Sequence, residues 1–121
     1  MAAVTLRDPE NMNVLGLLLA GFLDSALARD ERLAKRAAAM KGNVCIQAGQ
    51  MWITLCFSRA GIEIVRGRTV KRRATVQGEM DALLGIVVGA GMIAPVLTGK
   101  VRIGGNPFFL LRMLPILTGG S

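Results

Sequence analysis

The 121-residue chain contains no histidine and no tyrosine. Without histidine there is no Ser-His or Cys-His nucleophilic pair, no imidazole metal site and no side chain with an ordinary pKa near neutrality. Aromatic residues are 4% of the chain, too few to build the base-stacking platforms of single-strand binders. Two cysteines cannot make a disulfide framework, and they suit a reducing compartment. Acids are scarce as well: Asp and Glu number 8 against 15 Lys and Arg, a formal net charge of +7. The close acid pairs are Asp30-Glu31 and Glu79/Asp81. Neighbouring helix residues do not face one another, and Glu79/Asp81 suits the first turn of a helix, where the dipole favours acids. Gly99-Lys100 lacks the glycine spacing of a phosphate loop, and Gly89-Ala90-Gly91 lacks the third glycine of a dinucleotide fingerprint. The expectation is a protein that is not an enzyme, with no cofactor and no metal.

What is abundant is apolar surface. Hydrophobic residues are 52% and the mean hydropathy is +0.48, too oily for a disordered chain. Val14 to Leu23 is an unbroken apolar run, about half of the ~20 residues that span a bilayer. Asp8, Pro9 and Glu10 before it spoil the basic leader of a signal peptide. Ala82 to Leu97 carries no charge. As a helix it would be about 24 Å long, short of the ~30 Å hydrocarbon core, and Gly85, Gly89, Gly91 and Pro95 interrupt it. A buried helix followed by a turn is the expectation there. The expected location is the cytoplasm, including the surface of the inner membrane.

Residues 1–7 read as a short tail and 8–118 as one domain. Asp8-Pro9 resembles an N-cap followed by a first-position proline. Met12, Leu15, Leu19, Phe22, Ala26, Leu33, Ala37 and Met40 then recur at helical spacing, with a break expected near Asp24-Ser25 or Arg29-Asp30 and a stop at Lys41-Gly42. From Asn43 the period becomes two. Gly49-Gln50 is a two-residue hairpin loop. Pairing Ala48 with Met51 sets Ile46 opposite Ile53 and Val44 opposite Leu55, so the apolar sets of both strands share a face; a one-residue slip would break all three pairs. In this register Cys45 lies opposite Thr54 and Cys56 opposite Asn43, a poor disulfide geometry. A turn at Arg59-Ala60-Gly61 returns Ile62 and Ile64 to Phe57 and Leu55. Ala74 to Gln77 is a further strand, ended by Gly78, and Glu79-Met80-Asp81 opens a helix. Lys100 to Ile103 is a last strand, broken by Gly104-Gly105. Asn106-Pro107 caps a final apolar helix. The order helix, meander, strand, helix, strand, helix predicts an α+β domain with a five-stranded sheet and helices packed on one face.

Two groups of residues point to function. The basic run Arg66, Arg68, Lys71, Arg72 and Arg73 admits three readings: solvated charge protecting a strand edge, docking on an anionic head group or membrane at about 1 kcal/mol per basic residue, or nucleic acid. The last is weakest, for want of aromatics and of a recognition-helix pattern. The second group is the apolar excess: Leu18, Leu19, Phe22, Leu83, Leu84, Val87, Val88, Met92, Ile93, Phe108, Phe109 and Met113. Composition alone allows a dense core, a homodimer face or the wall of a lipid cavity.

The C-terminal half carries a resemblance. Ala74-Thr75-Val76 runs to Gly78, then to a helix with Ala82-Leu83-Leu84, then to Leu97-Thr98-Gly99-Lys100-Val101-Arg102-Ile103-Gly104-Gly105-Asn106, and closes with Phe108-Phe109-Leu110-Leu111-Arg112-Met113-Leu114. This resembles the sterol carrier protein 2 (SCP2) family, as a single-domain bacterial member, over residues 10–117. Gly99 to Asn106 with its following helix is the most specific piece. Asn106 stands where Asp is frequent, and 66–73 is unusually basic. The resemblance implies an SCP2-like fold that binds long-chain fatty acyl, sterol-like or isoprenoid lipid in a cavity without catalysis, the apolar set above forming its wall. It also implies an accessory or scaffold role, in lipid or isoprenoid-quinone biosynthesis, exercised through protein contacts.

Overall fold

The computed structural model describes residues 3–69, 71–87, 99 and 101–117. Their elements run β1 (Ala3–Leu6), a 3-10 turn (Pro9–Asn11), α1 (Val14–Arg29), α2 (Glu31–Ala39), β2 (Gly42–Ala48), β3 (Met51–Ser58), β4 (Gly61–Arg66), β5 (Ala74–Gly78), α3 (Met80–Val87), β6 (Val101–Gly105) and α4 (Pro107–Leu117). The strands form one sheet in the order β1-β4-β3-β2-β5-β6. The class is α+β, as expected, but the strands number six instead of five.

The extra strand comes from the segment expected as tail. Ala3–Leu6 pairs in parallel with Gly61–Ile64, and the backbone N–H of Arg7 donates to the carbonyl of Ile64 at 3.0 Å. Gly61 makes this approach possible: at φ +126°, a Cβ there would lie 2.1 Å from the carbonyl oxygen of Ala3. The Arg7 guanidinium donates to the Glu63 carboxylate beside the strand.

The meander adopts the register read from its alternation. Ala48 faces Met51, Ile46 faces Ile53, Val44 faces Leu55, and Cys45 faces Thr54. Leu55 faces Ile64 and Phe57 faces Ile62. Val44, Ile46, Ala48, Ile53, Leu55, Phe57, Ile62 and Ile64, with Ala74 and Val76, are buried on one face, and the helices cover that face; Cys45 and Thr54 point to the other. Cys45 and Cys56 are both free thiols.

Two boundaries differ from the expected ones. Pro9 opens only the 3-10 turn; the long helix starts at Asn13, whose Oδ1 accepts from the Gly16 N–H at 3.0 Å. Asn13 also ties the helix start to the sheet, its Nδ2 donating to the Trp52 carbonyl at 3.1 Å. Gly104-Gly105 does not break the last strand. Gly105 pairs with Ala74 and Gly104 with Thr75, and Gly105 at φ +83° lets the backbone pass where a Cβ would lie 2.3 Å from the Arg73 carbonyl oxygen. The helical break does fall at Asp30, which ends α1 and caps α2 by accepting from the Arg32 N–H at 2.9 Å. Asn106 caps α4 as expected, accepting from the Phe108 N–H at 2.9 Å.

Candidate functional site

The apolar residues singled out in the sequence separate into two environments. Leu19, Leu83, Phe109 and Met113 are buried in the core. Phe109 packs its ring edge-to-face on Phe57, with centroids 5.7 Å apart, a geometry the ring quadrupoles favour. Phe22 is half-buried against the same core. Leu18 and Phe108 are exposed, Phe108 at 73%. The side chains of Leu84 and Val87, and all of Val88, Met92 and Ile93, lie outside the described residues.

Leu18 is one of a row. Val14, Leu17 and Leu18 stand at i, i+3 and i+4 on α1, on one side of the helix, and all three are exposed. Phe108 and Leu111, three apart on α4, form a second exposed pair. The two helices pack on each other through their other sides, where Leu15, Leu19, Leu23, Phe109, Met113 and Ile116 are buried. Burying one such large side chain is worth about 1.5–3 kcal/mol. Five left in water on two neighbouring helices are therefore costly unless something covers them, and exposed apolar rows of this kind mark lipid, membrane or protein contacts.

The basic run does not act as one patch. Arg66 lies on the helix-covered side, because it pairs with the core residue Ile53, and it donates to the Asn11 carbonyl at 3.1 Å. The Arg73 guanidinium sits 5.5 Å from the centroid of Phe109. Between them the chain crosses the other face of the sheet. β4 and β5 flank the β3–β2 pair, and residues 67–69 and 71–73 of the connection lie over these two strands. Beneath it lie Cys45 and Thr54, both buried. Thr54 Oγ1 donates to the Gly67 carbonyl at 2.9 Å, and the Thr69 N–H donates to Cys45 Sγ at 3.4 Å. The Arg68 guanidinium stacks over Trp52 at 5.3 Å. Arg72 donates from Nε to Thr75 Oγ1 and from Nη1 to the Thr69 carbonyl, each at 3.0 Å. Trp52 and Thr75 alternate with core residues, so Arg68 and Arg72 stand on the face away from the helices. The Lys71 carbonyl lies there too, accepting from Asn43 Nδ2 at 3.0 Å.

Among the described residues there are also two concavities. A groove of about 800 Å³ is lined by Ala3, Asp24, Leu27, Ala28, Glu31, Ala34, Lys35 and Ala38, at the junction of α1, α2 and the start of β1. Sequence reasoning missed it: its floor is alanine, which carries no distinctive signal, and one wall is the strand read as tail. None of the residues expected to contact lipid lines it. A polar cleft of about 330 Å³ is lined by Gln47, Gly49, Gln77, Gly78, Glu79, Gly99 and Arg102. Among the described residues no group of His, Cys, Asp and Glu side chains is placed to hold a metal ion, and no helix is long and apolar enough to cross a membrane.

No family model and no curated protein sequence matches the chain. Solved structures do. A UbiJ-SCP2 ubiquinone synthesis protein superposes with a TM-score of 0.73 at 13% identity, over 89% of this chain and 96% of the other. Sterol carrier protein domain 2 of Helicoverpa armigera superposes at 0.66 and 13% identity, over 93% and 94%. Palmitated SCP2L2 from Aedes aegypti superposes at 0.55 and 13% identity, over 88% and 95%. The chain has the SCP2 fold along nearly its whole length, as the resemblance implied.

Proposed function

We propose that the protein binds a long-chain lipid (fatty acyl, sterol-like or isoprenoid) without catalysis, and passes it to or from a membrane or an enzyme. The observation that carries this reading is the exposure of Val14, Leu17 and Leu18 on α1 and of Phe108 and Leu111 on α4, two helices that pack on each other. These side chains stand over helices whose inner sides hold Leu19, Phe109 and Met113. A tail covering these side chains gains about 0.8 kcal/mol per buried CH₂, so a dozen methylenes offset the ordering of the chain with surplus. Arg73, beside Phe109, is the cation of the basic run best placed to meet an anionic head group. The fold supports the reading: two of the proteins that share it are called sterol carrier or palmitated.

A second reading, an accessory factor in isoprenoid-quinone biosynthesis, draws on the fold of a ubiquinone synthesis protein that this chain matches over 96% of that protein. In that case the same apolar rows would meet a protein partner.

The test is direct. Solvent extraction of the purified protein followed by mass spectrometry should release a lipid, and a fluorescent fatty acid should bind saturably. Leu17→Ser with Leu18→Ser should weaken that binding about tenfold or more, since two buried leucines contribute several kcal/mol. A protein that yields no lipid and shows no saturable binding overturns the carrier reading in favour of the accessory one.

A further inference from the structure

The sheet face away from the helices is polar and carries cations that no carboxylate neutralises. Its side chains form a row in register: Trp52 pairs with Gln47, Gln47 with Gln77, and Gln77 with Arg102. The row crosses four strands, β3, β2, β5 and β6. Arg68 stacks over Trp52 at one end, and Arg102 stands exposed at the other. Arg72, just before β5, reaches the same face by its hydrogen bond to Thr75, which precedes Gln77 by two residues on that strand. Among the described residues the ion pairs are Arg7–Glu63 and Arg32–Asp30, so Arg68, Arg72 and Arg102 have no carboxylate within reach. Glu79 lines the cleft with Arg102 but makes no ion pair with it.

Two of these cations are held in place before any partner arrives. Arg72 is fixed by two hydrogen bonds and Arg68 by its aromatic contact, on a segment tethered to Thr54 and Cys45. Ordering a free arginine costs up to about 2 kcal/mol, so fixed guanidiniums bind anions at less entropic loss. Loop solvation does not require this ordering.

We infer that this outer sheet face docks an acidic segment of a partner protein, with Arg68, Arg72 and Arg102 meeting its carboxylates and Gln47 and Gln77 giving hydrogen bonds between them. Three features select that partner. Among the described residues the exposed large apolar side chains are Val14, Leu17, Leu18, Ile103, Phe108 and Leu111, and none of these is on this face, which favours a polar partner over lipid. Arg68 stacks over the single tryptophan and competes there with a base. The span also fits: four strands at about 4.8 Å spacing put the end cations roughly 14 Å apart, the distance between residues i and i+4 of an extended chain. The face therefore lies opposite the proposed lipid opening, and one molecule can engage both partners.

The test uses the full chain and a fluorescent peptide of about twelve residues with alternating glutamate and serine, followed by anisotropy at low salt. Wild type should bind, more weakly as salt rises. R68Q/R72Q/R102Q should lose about tenfold or more in affinity. R36Q/K41Q/R59Q removes the same charge from exposed positions outside the row and should lose less than about twofold. Fatty-acid binding should be unchanged in both variants, which separates this inference from the lipid reading. Three results overturn it: no peptide binding by wild type, equal losses in the two triple variants, or an outer-face variant that loses affinity for a single-stranded oligonucleotide or for phosphatidylglycerol vesicles but not for the peptide.

Discussion

Replacing Thr54 by Val tests whether the basic crossover is held by the sheet beneath it. The side chains have nearly the same shape, so the change removes a hydroxyl and little else. Thr54 is 4% exposed, and its one proton goes to the Gly67 carbonyl at 2.9 Å. The Cys45 thiol lies 3.6 Å from the Thr54 hydroxyl oxygen and 3.6 Å from the Thr69 carbonyl, so in the valine variant it keeps the Thr69 acceptor and does not replace the donor lost to Gly67. A neutral hydrogen bond contributes about 0.5–1.5 kcal/mol net, and an orphaned buried partner costs about 1–3 kcal/mol. Gly67 is only half-buried, which lets water reach its carbonyl and places the expected loss at about 1–2 kcal/mol. With a urea slope of about 2 kcal/mol per molar, the middle of the usual range, the unfolding midpoint should fall by roughly 0.5–1 M. Hydrogen exchange should localise the effect: the Thr69 amide, bonded to Cys45 Sγ, should lose protection while the β2–β3 amides keep theirs. Thr54→Ser should restore most of both. A midpoint and a Thr69 exchange rate equal to wild type would refute the claim that the sheet pins the segment.

Two further outcomes test the strand docking and one helix cap. Gly61→Ala places a methyl in a left-handed backbone and against Ala3, so β1 should detach; a loss of about 1–3 kcal/mol, with exchange rising first at residues 3–6, is expected, and unchanged exchange there would refute the docking. Asp30 carries a carboxyl held below its usual pKa by the Arg32 backbone N–H it accepts, with smaller help from the Arg32 side chain. Its contribution to the start of α2 is therefore present above the ordinary carboxylate range and lost as pH falls through the lowered value. An acid titration of helical circular dichroism should show that step in wild type and lose it in Asp30→Asn, whose amide oxygen keeps the cap at low pH.

How much of this was legible in the sequence follows from how local each signal is. The meander could be read because alternation and a two-residue loop fix the register within sixteen residues, and a slip would expose every apolar side chain at once. Strand β1 could not, because Ala3–Leu6 is four residues long and its partner lies almost sixty residues away; only the alternation of Val4 and Leu6 with Ala3 and Thr5 hinted at it. The glycines at 104 and 105 look like breakers in isolation, and only the close pass of Arg73 and Ala74 shows why a strand needs them. The helical stripe placed Met12, Leu15, Leu19 and Ala26 inside correctly. It could not place Leu17 and Leu18, since the first half of α1 is apolar all round and periodicity then has no contrast to report. The same limit applied to the basic run. Its composition is visible, but which face it crosses depends on β5 pairing in parallel with β2 beyond the hairpin, a long-range fact. That pairing takes Arg68 and Arg72 to the side opposite the apolar rows of α1 and α4. A single flat membrane therefore cannot satisfy both groups, and the charge read as a lipid anchor divides: Arg73 stays beside Phe109, and the stacked and tethered Arg68 and Arg72 stand on the opposite face, the one proposed to meet an acidic partner.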